Sequence, residues 1–219
     1  MSRLKLRRFR VKMPPPDVLA QYCIVYDGKT LYFAPETLPD LSSPALFGNN
    51  NPLIVDLGCG RGEWLLKLAL EHPDHNIIGI DNHWKSVWDA VNKLHAANCH
   101  NAKIVRADLR QVLVKAVAED ATAIFLLFPP PRLEENRVKD DLLNQDRMHD
   151  IHRWLMPDAL FHFATDHEEY FERKVAQLTQ SGLFELLDLN VGFEGGQTAF
   201  QARWERWGIT SKRATFKRR

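Results

Sequence analysis

The chain is poor in cysteine. Its 219 residues hold three, Cys23, Cys59 and Cys99, far apart and with no Cys-x-x-Cys pair. That excludes a disulfide framework and a cysteine zinc site, and it fits a reducing compartment. Histidine is commoner, at nine, but the best-spaced pair, His149 and His152, has no evident third ligand, so no metal is expected. No apolar run is long enough to span a bilayer, and no apolar segment of the signal-peptide type follows the N-terminal charges. The expected location is therefore the cytoplasm. Internal repeats and low-complexity tracts are also missing. Net charge is nearly absent: 29 Lys and Arg stand against 28 Asp and Glu, for +1. Acids, however, are missing from both ends. Residues 1–12 carry Arg3, Lys5, Arg7, Arg8, Arg10 and Lys12, and residues 206–219 include Lys212, Arg213, Lys217, Arg218 and Arg219. Such termini suit arms for a polyanion such as RNA, and solvated chain ends account for the same charges equally well.

What is present reads as one α/β domain with an N-terminal extension. Residues 1–50 comprise the basic arm, a stiff Pro14-Pro15-Pro16 linker, a hairpin of Tyr22–Tyr26 and Lys29–Phe33 about Asp27-Gly28, and a Pro/Ser/Asn-rich loop. From residue 51 to 219, apolar runs alternate with helical spacing. Strands are expected at 53–55, 76–80, 103–106, 123–128, 159–164 and 183–189, with helices at 63–70, 84–97, 109–118, 140–155 and 168–179. Segments 198–207 and 213–217 read as closing strands about Gly208. The pattern implies a mostly parallel, seven-stranded, Rossmann-like sheet with an antiparallel edge hairpin and helices on both faces.

The chemistry is carried at strand ends. Asp56-Leu57-Gly58-Cys59-Gly60-Arg61-Gly62 follows the first core strand and precedes a helix. Gly58, Gly60 and Gly62 allow a sharp turn and close approach of a ligand. A dinucleotide turn would present this site to a pyrophosphate. Asp56 would repel phosphate but suits the ammonium of a methionine moiety. Asp81, 25 residues on, ends the next strand where a carboxylate can accept both ribose hydroxyls of either S-adenosylmethionine or a dinucleotide. Asp108 ends the third, where it can meet an adenine amino group or, equally, cap the helix from 109. Together the three acids favour S-adenosylmethionine and the class I methyltransferase version of the fold. Arg61 can reach the cofactor carboxylate or stay on the surface, and Trp84 and Trp88 are expected to pack in the core. Phe128-Pro129-Pro130-Pro131 makes a rigid turn where the transferable methyl would lie.

Residues 46–216 resemble the bacterial tRNA (guanine-N7)-methyltransferases. The resemblance rests on Leu46-Phe47-Gly48-Asn49-Asn50-Asn51-Pro52, Gly79-Ile80-Asp81, Ala107-Asp108, Phe128-Pro129, Phe161-His162-Phe163-Ala164-Thr165-Asp166 and Thr198-Ala199-Phe200-Gln201, followed by Trp204, Gly208 and Phe216. It implies that Asp56, Asp81 and Asp108 contact the cofactor, that Asp166, Thr198 and Gln201 contact the target nucleotide, and that tRNA is the partner. The chain also departs from the family. Pro130 stands where the family has Asp in Phe-Pro-Asp-Pro-Trp, Arg132 replaces the Trp, Glu134 falls at a substrate-binding Lys, and Gln201 replaces Glu. Residues 132–153 hold five basic and six acidic side chains, where a phosphate-gripping face should be clearly positive. Two other readings thus stay open: a methyltransferase of this fold with another RNA or small-molecule acceptor, and a non-catalytic relative that binds cofactor or RNA.

Overall fold

A computed structural model describes residues 10–26, 33–134, 139–189 and 211–219. Among the described residues the sheet has eight strands: β1 Cys23–Val25, β2 Leu53–Leu57, β3 Asn76–Asp81, β4 Ala102–Arg106, β5 Ala121–Leu127, β6 Leu155–Thr165, β7 Phe184–Leu189 and β8 Lys212–Arg218. Their spatial order is β1-β4-β3-β2-β5-β6-β8-β7. β1 to β6 are parallel, and β8 lies antiparallel between β6 and β7. The expected parallel sheet with an antiparallel edge is thus present. The strand that joins the sheet beyond the expected seven is β1, from the Tyr22–Tyr26 run that was expected in a separate hairpin. Tyr22 ends a helix rather than opening a strand, and Cys23–Val25 pairs in parallel with Ile104–Arg106. Asp27, Gly28 and residues 29–32 lie outside the described residues, as do 198–207.

The helices are α1 Pro16–Tyr22, α2 Ser43–Phe47, α3 Glu63–Glu71, α4 Trp84–Ala96, α5 Leu109–Lys115, α6 Gln145–Trp154 and α7 Glu168–Gln180. Pro16 is the first helical residue, where its missing N–H leaves no partner unsatisfied, so the triple-proline segment ends in a helix start. β2 and β3 are buried along nearly their whole length, as continuous apolar strands covered on both faces must be. One face is covered by α1, α3 and α4 through Val18, Leu65, Leu68, Val87, Val91 and Leu94. The other is covered by α5, α6 and α7 through Val112, Leu113, Ile151, Trp154, Tyr170 and Leu178. Leu38 and Leu41, ahead of β2, complete this second layer. Among the described residues no helix is long and apolar enough to cross a membrane. The three thiols are free and buried; burial pushes Cys23 up to about 11 and Cys59 well above the usual thiol value, so neither forms a thiolate readily.

Candidate functional site

Parallel α/β sheets bind ligands beyond the carboxyl ends of their strands, and here four strand ends meet in a cleft of about 510 Å³. Its lining includes Gly58 after β2, Asp81 at the end of β3, Asp108 after β4, and Phe128 and Pro130 after β5. The glycine turn is pinned from below, because the N–H groups of Gly58 and Cys59 both donate to the Ile80 carbonyl, at 2.8 and 3.0 Å. Gly58 and Gly60 have φ of +78° and +54°, and a Cβ on either would project into nearly open space. Backbone conformation therefore requires glycine at both positions, and the space that side chains would occupy is left to a ligand. At Gly62 the constraint is contact: a Cβ would lie 2.5 Å from that of Ala90, so α4 closes directly onto the turn.

Asp56 sits behind this turn and is 2% exposed, and its Oδ2 has no hydrogen-bond partner among the described residues. Burial, then the neighbouring Asp81 and Glu63, push its carboxyl up to about 8. A buried, unpaired carboxyl group beside a bare glycine turn fits the donor set of an amino-acid ammonium. Asp81 joins strand and turn: Oδ2 accepts from the Gly60 N–H at 3.1 Å and Oδ1 from the His83 N–H at 2.7 Å. Asp108 caps α5 by accepting from the Arg110 N–H, and it also holds the Arg110 guanidinium bidentately at 3.1 and 2.7 Å. Burial alone would raise the Asp108 carboxyl, but the hydrogen bonds and charge of Arg110 outweigh it and bring it below the usual range.

Phe128 has φ of +54° and donates its N–H to the Ala164 carbonyl at 2.7 Å. A non-glycine residue in the left-handed region stores about 1–3 kcal/mol, and such strain concentrates at functional turns. On the neighbouring strand, the Phe161–Asp166 string divides its roles. His162 stacks on Phe125 at 4.4 Å and shares a hydrogen bond with Thr215, and burial pulls it down to about 4, so it stays neutral. Asp166, just past β6, is partly exposed and has no hydrogen bond or ion pair among the described residues. Thr198 and Gln201 lie outside the described residues.

Several placements correct or extend the sequence reading. Trp84 is not in the core: it is 36% exposed, with the Arg106 guanidinium 3.9 Å from its ring centre. Arg61 is ion-paired to Asp89 at 2.5 Å, on α4. The C-terminal basic cluster is not an arm but β8, and Lys212, Lys217 and Arg218 pair with Glu168, Asp158 and Glu119. Arg110 and Asp140 line the cleft without having been singled out in the sequence, beside Arg132, which was read only as replacing the family's Trp. Arg110 two places after an acidic N-cap was the one available signal. Among the described residues no group of three His, Cys, Asp or Glu side chains could hold a metal.

A family model described as "Putative methyltransferase" matches residues 50–212. The tRNA (guanine-N(7)-)-methyltransferase of Rubrobacter xylanophilus is 35% identical over 214 residues, 96% of each chain. The chain belongs to the tRNA (guanine-N7)-methyltransferase family. A member from Chloroflexus aurantiacus is 34% identical over 164 residues, covering 75% of this chain and 73% of that one. Solved structures share the fold. The 16S rRNA methyltransferase KamB matches with a TM-score of 0.58 at 13% identity, over 77% of this chain and 88% of that one. The aminoglycoside resistance methyltransferase NpmB1 matches at 0.53 and 21%, over 77% and 87%. Within the family, this chain's cleft presents proline and arginine at 130 and 132.

Proposed function

We propose that the protein transfers the methyl group of S-adenosylmethionine to N7 of a guanosine in tRNA, in the cytoplasm. The observation that carries this reading is the buried, unpartnered Asp56 behind the bare glycine turn of a cleft that ends at Phe128–Pro130. Asp56 ionises against the cofactor ammonium. Asp81 accepts the ribose hydroxyls, and Asp108 meets the adenine amino group with its charge already shared by Arg110. Bound there, the cofactor supplies a methyl group on a sulfonium, which leaves as a neutral thioether when the methyl is displaced.

The acceptor side needs little acid–base chemistry. Guanine N7 has an in-plane lone pair and no proton, so forming the N–CH₃ bond requires alignment and exclusion of water rather than a base. Proline at 130 is compatible with that step. Phe128, Pro129 and Pro130 form a rigid wall for a planar base. Asp166 accepts from the guanine N1–H and amino group, with Thr198 and Gln201 assigned beside it by family resemblance. A second reading, transfer to another RNA position, draws on Pro130 together with the Arg110–Asp140 pair, which uses up a cation at the mouth of the cleft.

The test is incorporation of labelled methyl into unmodified tRNA, followed by digestion to nucleosides. Labelled 7-methylguanosine, absent with Asp56→Ala, is expected. A different labelled nucleoside would move the assignment to the second reading, and no label in any RNA would overturn both.

A further inference from the structure

A second cavity, about 590 Å³, adjoins the cofactor cleft across Asn82, Ala107 and Asp108. It lies over the ends of β1, β3 and β4, and from the segment ahead of residue 51 it is lined by Tyr26. Tyr26, just past β1, donates its N–H to the Arg106 carbonyl at 2.8 Å and accepts from Arg106 Nη1 at 3.3 Å. Its hydroxyl donates to the Thr37 carbonyl, which fixes the ring. The facing wall is the first turn of α4: His83, Trp84 and Lys85.

The chemistry of this lining is uniform. Trp84 presents an indole face, and the Arg106 guanidinium stacks on it. Arg106 Nε is buried with no hydrogen-bond partner, and neither Arg106 nor Lys85 forms an ion pair among the described residues. His83 Nδ1 accepts from the Ser86 N–H, which puts the proton of the neutral ring on Nε2 as a further donor. The one acid, Asp108, is already neutralised by Arg110. An exposed aromatic plane with two uncompensated cations beside it is the chemistry that takes a base by stacking and a phosphate by charge.

We propose that this cavity seats a nucleotide of the bound RNA other than the methylated one, with its base on the Trp84–Arg106 stack and its phosphate on Lys85. The proposal rests on the RNA-directed reading above. It would make the N-terminal extension part of substrate recognition, since Tyr26 and the pairing of β1 hold Arg106 in place.

The experiment compares full-length wild type, Trp84→Ala, Trp84→Phe and Lys85→Glu. Binding of an unmodified tRNA transcript and of S-adenosylmethionine is measured separately, with thermal melts alongside. Trp84→Ala and Lys85→Glu are expected to weaken tRNA binding about tenfold or more, the scale of one stacked base, while cofactor affinity stays within about twofold. Trp84→Phe should restore most of the tRNA affinity. Unchanged tRNA binding in Trp84→Ala overturns the proposal. A matching loss of cofactor affinity also overturns it, because the cavity would then hold the cofactor's adenine. Failure of the wild type to bind or methylate tRNA sinks the parent reading and this one together, whereas normal methylation by Trp84→Ala at wild-type KM sinks this one alone.

Discussion

Asp56 is held as an acid in a place where its charge is costly until a cation arrives. With its carboxyl pushed up to about 8, it is largely protonated at neutral pH in the free protein and must ionise to pair with an ammonium. Cofactor binding should therefore release protons below pH 8 and strengthen as pH rises toward it. Above about 8 the α-amino group itself loses its proton, and affinity falls again. The expected profile is a bell near pH 8, measurable by calorimetry in buffers of different ionisation enthalpy, and Asp56→Asn should lose both the rising limb and most of the affinity. The same residue links stability to pH. Its folded value lies above its unfolded one, so its contribution is fully present at low pH and is lost as pH rises toward 8. Asp56→Asn should thus raise the melting temperature relative to wild type more at pH 8 than at pH 5; an equal difference at both would contradict a buried, protonatable Asp56.

Pro130 stands on the acceptor side of the cleft. If the reaction needs alignment and no base, restoring the family carboxylate with Pro130→Asp should act on how the base is held. KM for tRNA is expected to change, while kcat moves less than about tenfold, short of the roughly 10²–10⁴-fold that a general acid–base group supplies. A larger gain in kcat would mean that the missing carboxylate moves a proton.

Among the elements, the segment leading into α6 matters most for the cleft. Asp140 and Leu142 line it, and the chain between them is fixed from behind. Lys174 on α7 pairs with Asp141 at 2.5 Å with both side chains buried, and it also donates to the Leu143 carbonyl; the Tyr170 hydroxyl donates to Asp141 at 2.6 Å. Burial pulls Lys174 below the usual lysine value, and Asp141 offsets part of that. Lys174→Met leaves a buried carboxylate without its cation and should cost about 3–5 kcal/mol in denaturant unfolding, with a good part recovered in Asp141→Asn/Lys174→Met. Sequence reading could not reach this network. Asp141 and Lys174 are 33 positions apart on elements whose packing no periodicity specifies. The β2–β6 core was legible because buried parallel strands are continuous apolar runs and helices between them show a clear stripe. The pairing of β1 was not legible: its residues read as one arm of a local hairpin, whereas the partner β4 lies some 80 positions on, a distance no local turn signal reports. The positions of Asp56, Asp81 and Asp108 at strand ends could be read from the sequence, whereas the Arg110 clamp and the Trp84–Arg106 stack depend on side-chain directions that spacing does not fix.

Over the whole molecule, charge that looks alike in the sequence differs in availability. Three of the basic residues in β8 are paired with carboxylates from α7, from β6 itself and from the turn ahead of β5, so the strand offers a polyanion less than its sequence suggests. Such surface pairs contribute little to stability but lower the local field. Of the N-terminal cations, Arg3, Lys5, Arg7 and Arg8 precede the described residues, and the chain then runs past α4, where Asn92 donates to the Lys12 carbonyl at 2.8 Å. α4 also supplies Trp84 and Lys85 to the second cavity, so this end of the chain enters on the helix that walls the proposed RNA contact. Each phosphate contact contributes about 0.7–0.9 to the slope of log affinity against log salt. Removing residues 2–9 takes away four cations and should flatten that slope for tRNA by up to about 3, leaving cofactor affinity unchanged. Lys217→Ala, which removes a cation already paired with Asp158, should change the slope by much less than 1. The reverse ranking would place the RNA on β8 and on the far edge of the sheet.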